Sequence, residues 1–362
     1  MKVLIDATPL LVRSAGVKNY LYYWIEHLRR GAGGDAIATW PALENRRLDH
    51  EASMASRWRT AAGLGMLAAS NYTPLPVLDW AARGTDVFHA TSLVRRPPQK
   101  PRLTSTIHDM TCWLMPELHP AANRRADASF AEVLRCADSL IAVSQNTKDD
   151  AVRVLALDPE KITVIHSGVA DAFFDAKAGD IRERYGLDRP FVLFLGTIEP
   201  RKNLDTLLSA YEAVPRDVRD EFELVVAGPS GWASGETKAR LGAVRRLGYV
   251  PEEDVAPLTA AATVFAYPSL YEGFGFPVAQ AMAAGTPVVT SNLSSLPEIA
   301  GDAAELVDPR SVTELRDALA RLLISTDRRA LLAARGRERA RAFRWEECAA
   351  QSMRFFRGVA GR

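Results

Sequence analysis

Residues 263–289 read TVFAYPSLYEGFGFPVAQAMAAGTPVV, and this stretch predicts the architecture of the chain. Its first five residues form an apolar run with β-branched and aromatic side chains, which is typical of a short buried strand. Pro277 suits the first position of a helix, where a backbone N–H is not needed, and Gly285 suits a left-handed helix end. Pro287 then leads into another apolar run. The order strand, glycine-rich turn, helix, strand predicts an α/β fold with a parallel sheet.

The turn inside this stretch has the features of a ligand site. A helix that starts beside Gly273 and Gly275 presents free N–H groups and the positive end of its dipole, which favour an anion. Glu272 would repel a phosphate, so we interpret it as an acceptor for ligand hydroxyls or as a stabiliser of positive charge on a reacting carbon. Gln280 lies further along the helix, on the side that can face the same ligand. These residues predict a sugar nucleotide, and the alternative is an ordinary turn with a solvated Glu272.

The composition is that of a globular protein long enough for two domains. The chain has 362 residues, of which 48% are hydrophobic and 25% charged, and its net charge is +1. This balance argues against nucleic acid as a partner. The cysteines (Cys112, Cys136 and Cys348) are scattered, which predicts neither a disulfide framework nor a zinc site. Residues 1–6 read directly as a strand and no apolar run is long enough to cross a membrane, so we expect a cytoplasmic protein without a signal peptide.

Strands and helices alternate along the whole chain, in two halves. The segment 166–171 reads as a linker, which predicts one domain over residues 1–170 and another over residues 171–343. The tail, residues 344–362, is amphipathic, and Trp345, Cys348, Met353 and Phe356 can share one face of a helix. This alternation predicts parallel sheets built from right-handed βαβ units.

Several features of the first half could belong to a site. His108 and Asp109 end a predicted strand, and ligands of open α/β sheets bind at that end. Gly16 follows the first strand and could let a phosphate approach the backbone. We interpret the aromatic residues of the helix predicted at 17–30 as core. Residues 57–67 predict a helix that either packs on the protein or lies on a membrane surface. The basic loop 95–102 is either solvated or receives a phosphate-carrying acceptor.

In the second half, Arg201 and Lys202 follow a strand and precede a helix. Adjacent cations at this place can neutralise a diphosphate, the arginine through its planar fork and the lysine as a point charge. The alternative is a solvated basic pair, but cations at a helix start oppose the helix dipole. Because negative charge grows on a departing diphosphate, such a pair would favour the transition state.

Residues 271–287 resemble the signature of the retaining glycosyltransferases of family 4, in which a Glu is followed after seven residues by a second Glu. Here the second position holds Gln280, which accepts a hydrogen bond but carries no charge. In the family this position contacts ribose hydroxyls. Residues 196–203, 247–251 and 294–298 resemble the family's donor loops, and residues 108–117 resemble a motif of its bacterial mannosyltransferase subgroup. The tail resembles the family's final helix, which crosses back onto the first domain.

The resemblance implies the GT-B fold, two Rossmann-like domains with parallel sheets facing across a cleft, the first binding the acceptor and the second the nucleotide sugar. It also implies a role for each candidate residue. These residues are Glu272, His108 and Asp109 for catalysis; Arg201, Lys202, Gly16, Gly273, Phe274 and Gly275 for the donor diphosphate; and Gln280, Tyr249 and Val250 for the ribose and base.

The expected activity is retaining transfer of a hexose, with mannose from GDP-mannose as the donor, to a glycan or lipid-linked glycan in cell-surface polysaccharide synthesis. The sequence has no Asp-x-Asp pair, so we expect no metal and no other cofactor. A peripheral contact with the inner membrane face is also expected as an option. The alternatives are a UDP-sugar-dependent transferase, a non-catalytic sugar-binding protein and a UDP-sugar epimerase. A glycosidase is disfavoured because it has no use for the cationic pair.

Overall fold

The computed structural model describes residues 1–14, 16–44, 47–50, 52–119, 121–232 and 235–361. The chain forms two compact units, each with its own sheet. The first unit contains Met1–Gly168 and Trp345–Arg362, and the second contains Val169–Arg344.

In the described part of the first unit, six parallel strands form one sheet in the order β2-β1-β3-β4-β5-β6. The strands are β1 (Lys2–Asp6), β2 (Ala36–Trp40), β3 (Val87–Ala90), β4 (Arg102–Ile107), β5 (Ser139–Ala142) and β6 (Ile162–Val164). β3, β4 and β5 are buried over almost their whole length, as expected for a parallel sheet covered on both faces. The helices between them are α1 (Gly16–Gly31), α2 (Arg57–Tyr72), α3 (Val77–Ala81), α4 (Thr111–Leu114), α5 (Ala121–Cys136) and α6 (Gln145–Leu155).

The second unit repeats this design, and its described strands form a six-stranded parallel sheet in the order β12-β11-β10-β7-β8-β9. The strands are β7 (Phe191–Leu195), β8 (Glu223–Ala227), β9 (Arg245–Gly248), β10 (Val264–Tyr267), β11 (Val288–Ser291) and β12 (Ala304–Val307). The helices are α7 (Asp171–Phe174), α8 (Ile181–Arg184), α9 (Leu204–Glu212), α10 (Arg216–Glu221), α11 (Gly235–Arg240), α12 (Glu252–Ala261), α13 (Phe276–Ala284), α14 (Leu296–Ala300), α15 (Val312–Ile324) and α16 (Thr326–Ala340).

The last helix, α17 (Trp345–Ala360), belongs to the first unit and packs on α1. Trp345, Cys348, Met353 and Phe356 are all buried, which confirms the predicted apolar face. The indole N–H of Trp24 donates to Ser352 Oγ at 2.9 Å, so this apolar contact also satisfies the buried polar atoms.

The decisive stretch folds as predicted, with small shifts at its ends. Gly285 ends α13 in the left-handed conformation, with φ of 74°. The helix begins at Phe276, one residue earlier than expected, and Pro277 still lies where no N–H partner is needed. α16 packs across α13, and a Cβ added at Gly336 would lie 3.3 Å from Cα of Met282. Glycine therefore permits the close approach of these two helices.

The helix predicted at 57–67 is part of α2. Gly63 and Leu67 are buried, and a Cβ added at Gly63 would lie 2.8 Å from Cγ of Pro41, so α2 packs on the protein. Its first turn projects Trp58, whose surface is 87% exposed. Contact of this helix with a membrane stays a prediction. Among the described residues, no helix has the length and apolarity needed to cross a membrane.

Candidate functional site

The candidate site of the second unit lies at the carboxyl ends of β7 and β10. These neighbouring strands occupy the centre of the sheet, and the chain builds outward from them on either side. Open α/β sheets bind ligands at such a switch point, because the two loops there diverge and leave a crevice. The loop after β7 carries Arg201 and Lys202, and the loop after β10 carries Glu272. The two loops are joined directly, since Leu270 N–H donates to the Arg201 carbonyl at 2.9 Å.

Glu272 is the centre of a buried cluster. Its Oε1 accepts hydrogen bonds from Lys202 Nζ at 2.7 Å, from Ser269 Oγ at 2.7 Å and from the Tyr267 hydroxyl at 3.0 Å. Arg201 Nη1 also lies 3.0 Å from this oxygen. Within the described part of the chain, no hydrogen bond reaches the second oxygen, Oε2. One carboxylate oxygen therefore fixes the side chain, and the other is left for a ligand.

Electrostatics keeps the Glu272 carboxylate ionised. Burial alone would raise its pKa, but the charges of Arg201 and Lys202, with the hydrogen bonds from Lys202 and Ser269, outweigh burial and lower the pKa to about 2. Burial and the neighbouring Arg201 lower the pKa of Lys202, although Glu272 opposes this change. Burial also raises the pKa of Tyr267, whose hydroxyl remains a donor to the carboxylate.

Arg201 is held by the same loops. Its Nη1 donates to the Tyr271 carbonyl at 2.6 Å, and its Nη2 donates to Glu199 Oε1 at 2.7 Å. The Arg201 side chain is 15% exposed and that of Lys202 is 10% exposed. This burial does not fit the alternative of a solvated basic pair. The two residues lie in the short turn Pro200–Lys202 before α9, not inside the helix.

The glycine turn after Glu272 brings backbone close to its surroundings. Gly275 has φ of 94°, and a Cβ added there would lie 2.7 Å from Cδ2 of Leu296. It precedes α13, so the first N–H groups of this nine-residue helix follow the turn. Phe274 is buried and packs against Phe276 and Phe343, so only its backbone can serve a ligand. This arrangement can accept an anion beside the cations of the neighbouring loop.

Comparison with known proteins agrees with this geometry. The family model for glycosyl transferases group 1 matches residues 179–339, and that for Glycosyltransferase Family 4 matches residues 15–173. O-antigen chain mannosyltransferase B of Escherichia coli is 30% identical over 381 residues, which cover 99% of this chain and 100% of that protein. The chain belongs to glycosyltransferase family 4.

A second relative of this family 4 glycosyltransferase is the MMP alpha-(1->4)-mannosyltransferase of Mycolicibacterium hassiacum. It is 34% identical over 239 residues, which cover 64% of this chain and 56% of that protein. Among solved structures, sucrose-phosphate synthase of Thermosynechococcus elongatus has a TM-score of 0.77 at 22% identity and covers 99% of both chains. Anabaena HepE, solved with UDP and glucose, has a TM-score of 0.73 at 19% identity over 99% of this chain and 100% of its own. These structures show that the glycosyltransferase has the GT-B fold.

The family 4 glycosyltransferase carries its other predicted donor residues around the same sheet edge. Gln280 lies on α13, is half-buried and makes no hydrogen bond with the described residues. Tyr249 and Val250 follow β9; the Tyr249 surface is 43% exposed, whereas Val250 is buried. The β8 and β9 ends are tied together, because Gly228 N–H donates to the Gly248 carbonyl at 2.7 Å. The roles predicted for Gln280, Tyr249 and Val250 stay predictions.

The remaining predicted residues of the family 4 glycosyltransferase belong to its first unit. Burial lowers the pKa of His108 to about 4, so the ring is neutral at pH 7, and it meets the Tyr20 ring edge-on at 4.8 Å between centroids. Asp109 Oδ1 accepts from the Thr111 N–H at 3.0 Å and so caps the short helix α4. Gly16 is the exposed first residue of α1. Their parts in catalysis and diphosphate binding stay predictions.

Sequence analysis missed several residues that complete the Glu272 site. Tyr267 and Ser269 donate to its carboxylate, and Ser295 Oγ donates to its backbone carbonyl at 2.9 Å. Their position gave one usable signal, since polar residues at the carboxyl end of a central strand point to a site. The signal did not say which atoms would converge on one oxygen.

Proposed function

We propose that this glycosyltransferase moves a mannosyl group from GDP-mannose to a glycan or lipid-linked glycan, with retention of configuration, in the synthesis of a cell-surface polysaccharide. The buried cluster of Lys202, Arg201 and Glu272 carries the proposal. It combines cations suited to a diphosphate with a carboxylate that has an oxygen free for sugar hydroxyls. The similarity to O-antigen chain mannosyltransferase B and to the MMP alpha-(1->4)-mannosyltransferase supports mannose as the transferred sugar.

In this proposal, Lys202 and Arg201 balance the negative charge that grows on the leaving diphosphate, and the N–H groups at the start of α13 add to this effect. Backbone of Gly273, Phe274 and Gly275 would contact the phosphates. No metal is required, because the cationic pair takes that task. Gly16 of the first unit would approach the same phosphates.

The sugar would meet Glu272 through its Oε2. A carboxylate ionised at every working pH stabilises positive charge on the anomeric carbon as the bond to the diphosphate breaks. The acceptor oxygen then attacks the face that the diphosphate leaves, and no enzyme nucleophile is used. His108 would contact the transferred sugar as a neutral ring, and Asp109 would orient its loop. Gln280, Tyr249 and Val250 would bind the ribose and base.

A UDP-sugar donor is the second candidate. The observation that favours it is the likeness of the chain to Anabaena HepE, which was solved with UDP-glucose. That likeness is one of fold, whereas the mannosyltransferase similarity covers the sequence of the full chain. A sugar-binding protein without catalysis and a UDP-sugar epimerase are excluded as descriptions of the family 4 chain.

Nucleoside diphosphates should distinguish the two donors. We expect GDP, at a hundredfold excess over its dissociation constant, to stabilise the native protein by about 2.7 kcal/mol, with no comparable shift from UDP or ADP. Thermal unfolding with each nucleotide measures this directly. A shift with UDP alone would replace the donor and keep the reaction. No shift with any of the three would contradict the proposed diphosphate site.

The anomeric configuration of the product tests the mechanism. We expect an α-linked mannoside from GDP-α-mannose, because attack and departure share one face of the ring. NMR of the product formed on a synthetic glycan acceptor reads this configuration, and released GDP must depend on added acceptor. A β-linked product would refute retention, while acceptor-independent release would indicate hydrolysis.

A further inference from the structure

Two residues beside Glu272 have a backbone conformation that L-amino acids rarely adopt. Among the described residues, the non-glycine residues with positive φ are Ala156 at 53°, Asn203 at 56° and Ser294 at 56°. Ala156 ends α6 in the first unit, where a left-handed residue is a common helix end. Asn203 and Ser294 both lie at the Glu272 loop. Because this conformation costs free energy outside glycine, it calls for a reason at these two positions.

Asn203 fastens the start of the loop. Its Nδ2 donates to the Pro268 carbonyl at 3.0 Å and to the Pro309 carbonyl at 2.6 Å. Its Oδ1 accepts from Thr206 Oγ1 at 2.7 Å, which orients the amide. Asn203 directly follows Lys202, so one residue links the cationic turn to the strand end that precedes Glu272.

Ser294 fastens the other end. Its Oγ accepts from the Glu272 N–H at 3.0 Å, and the neighbouring Ser295 Oγ donates to the Glu272 carbonyl at 2.9 Å. Leu296 of the same segment lies against Gly275. Both polar groups of the Glu272 backbone are thereby held, which leaves the side chain to point at the cluster.

We propose that Asn203 and Ser294 are positioning residues for Glu272, and that their left-handed backbone serves to bring a short polar side chain onto the loop. The pair holds the loop at Pro268 and at Glu272, so that Oε1 meets its donors and Oε2 is kept in one place. This inference rests on the proposed function for its kinetic consequence. The competing explanation is that each turn needs only its backbone conformation.

Glycine substitutions separate these explanations, because glycine adopts positive φ at no steric cost but has no side chain. We expect N203G and S294G to fold and to lower kcat by about tenfold to a hundredfold, with Kd for GDP and UDP changed by no more than about threefold. A156G is the matched control, and it should keep the wild-type kcat with an equal or higher Tm. N203D keeps the acceptor for Thr206 but loses both donated bonds, so it should match N203G.

Hydrogen exchange supplies a readout that does not depend on activity. Peptides over residues 268–275 should exchange about fivefold faster or more in N203G and S294G, and at the wild-type rate in A156G. Wild-type kcat in both glycine variants would overturn the positioning role, whatever the exchange shows. If the wild type bound neither GDP nor UDP, the proposed function would fail; faster exchange would then still support the loop fastening, and unchanged exchange would overturn it.

Discussion

Replacing Lys202 with alanine should lower the rate of transfer at least about a hundredfold, comparable to the loss of one transition-state donor in other enzymes. Lys202 Nζ is buried 2.7 Å from Glu272 Oε1, so the substitution removes a cation that water cannot replace. Single-turnover transfer from GDP-mannose measures the chemical step. Activity within about tenfold of the wild type would contradict the role of this lysine.

The variant K202A also leaves a buried carboxylate with one cation fewer, which can destabilise the fold. The double variant K202A/E272Q removes both charges and should regain stability without regaining activity. R328A is a control for loss of a cation in the same unit, because Arg328 pairs with Glu305 at 2.8 Å on the surface. It should leave transfer unchanged.

Arg201 should respond differently to a conservative change. R201A should lose at least about a hundredfold in turnover, as K202A does. R201K keeps the charge but cannot donate at once to the Tyr271 carbonyl and to Glu199, so it should recover only part of the rate. Full activity in R201K would reduce Arg201 to a point charge.

Replacing Glu272 with glutamine should also lower kcat at least about a hundredfold, because the amide cannot balance positive charge on the sugar. Nucleoside diphosphate binding should be kept or strengthened, since the substitution removes a negative charge beside the phosphates. Kinetics with GDP-mannose and calorimetry with GDP measure the two effects. A proportional loss of both would show that E272Q acts through the fold.

The pH dependence of stability gives an independent check of Glu272. Its native pKa of about 2 lies below the ordinary value of 4.5, so ionisation stabilises the fold above pH 4.5, and this contribution is lost as the pH falls through about 2. The stability difference between the wild type and E272Q should therefore shrink between pH 5 and pH 2, on the order of the pKa values above. Chemical unfolding at several pH values measures it. A constant difference would contradict the lowered pKa.

Local sequence signals predicted much of the second unit. Gly285 ends α13 because a left-handed end without a Cβ is a local property of the chain. The buried face of α17 followed from its periodicity in the same way, with Trp345 and Phe356 among its members. The predicted order of strands and helices placed Arg201, Lys202 and Glu272 at the carboxyl edge of one sheet, because parallel strands bring their loops to the same side.

Only the tertiary structure decided how these residues work together. Lys202 and Glu272 are separated by 70 residues, and their contact depends on β7 and β10 being neighbours in the sheet. Convergence of several donors on Oε1 leaves Oε2 for a ligand, and no spacing in the sequence carries that information. The left-handed backbone of Asn203 and Ser294 is likewise invisible in the sequence, because neither residue is a glycine. Local structure follows from nearby residues, whereas the charge and direction of Glu272 follow from loops that packing alone brings together.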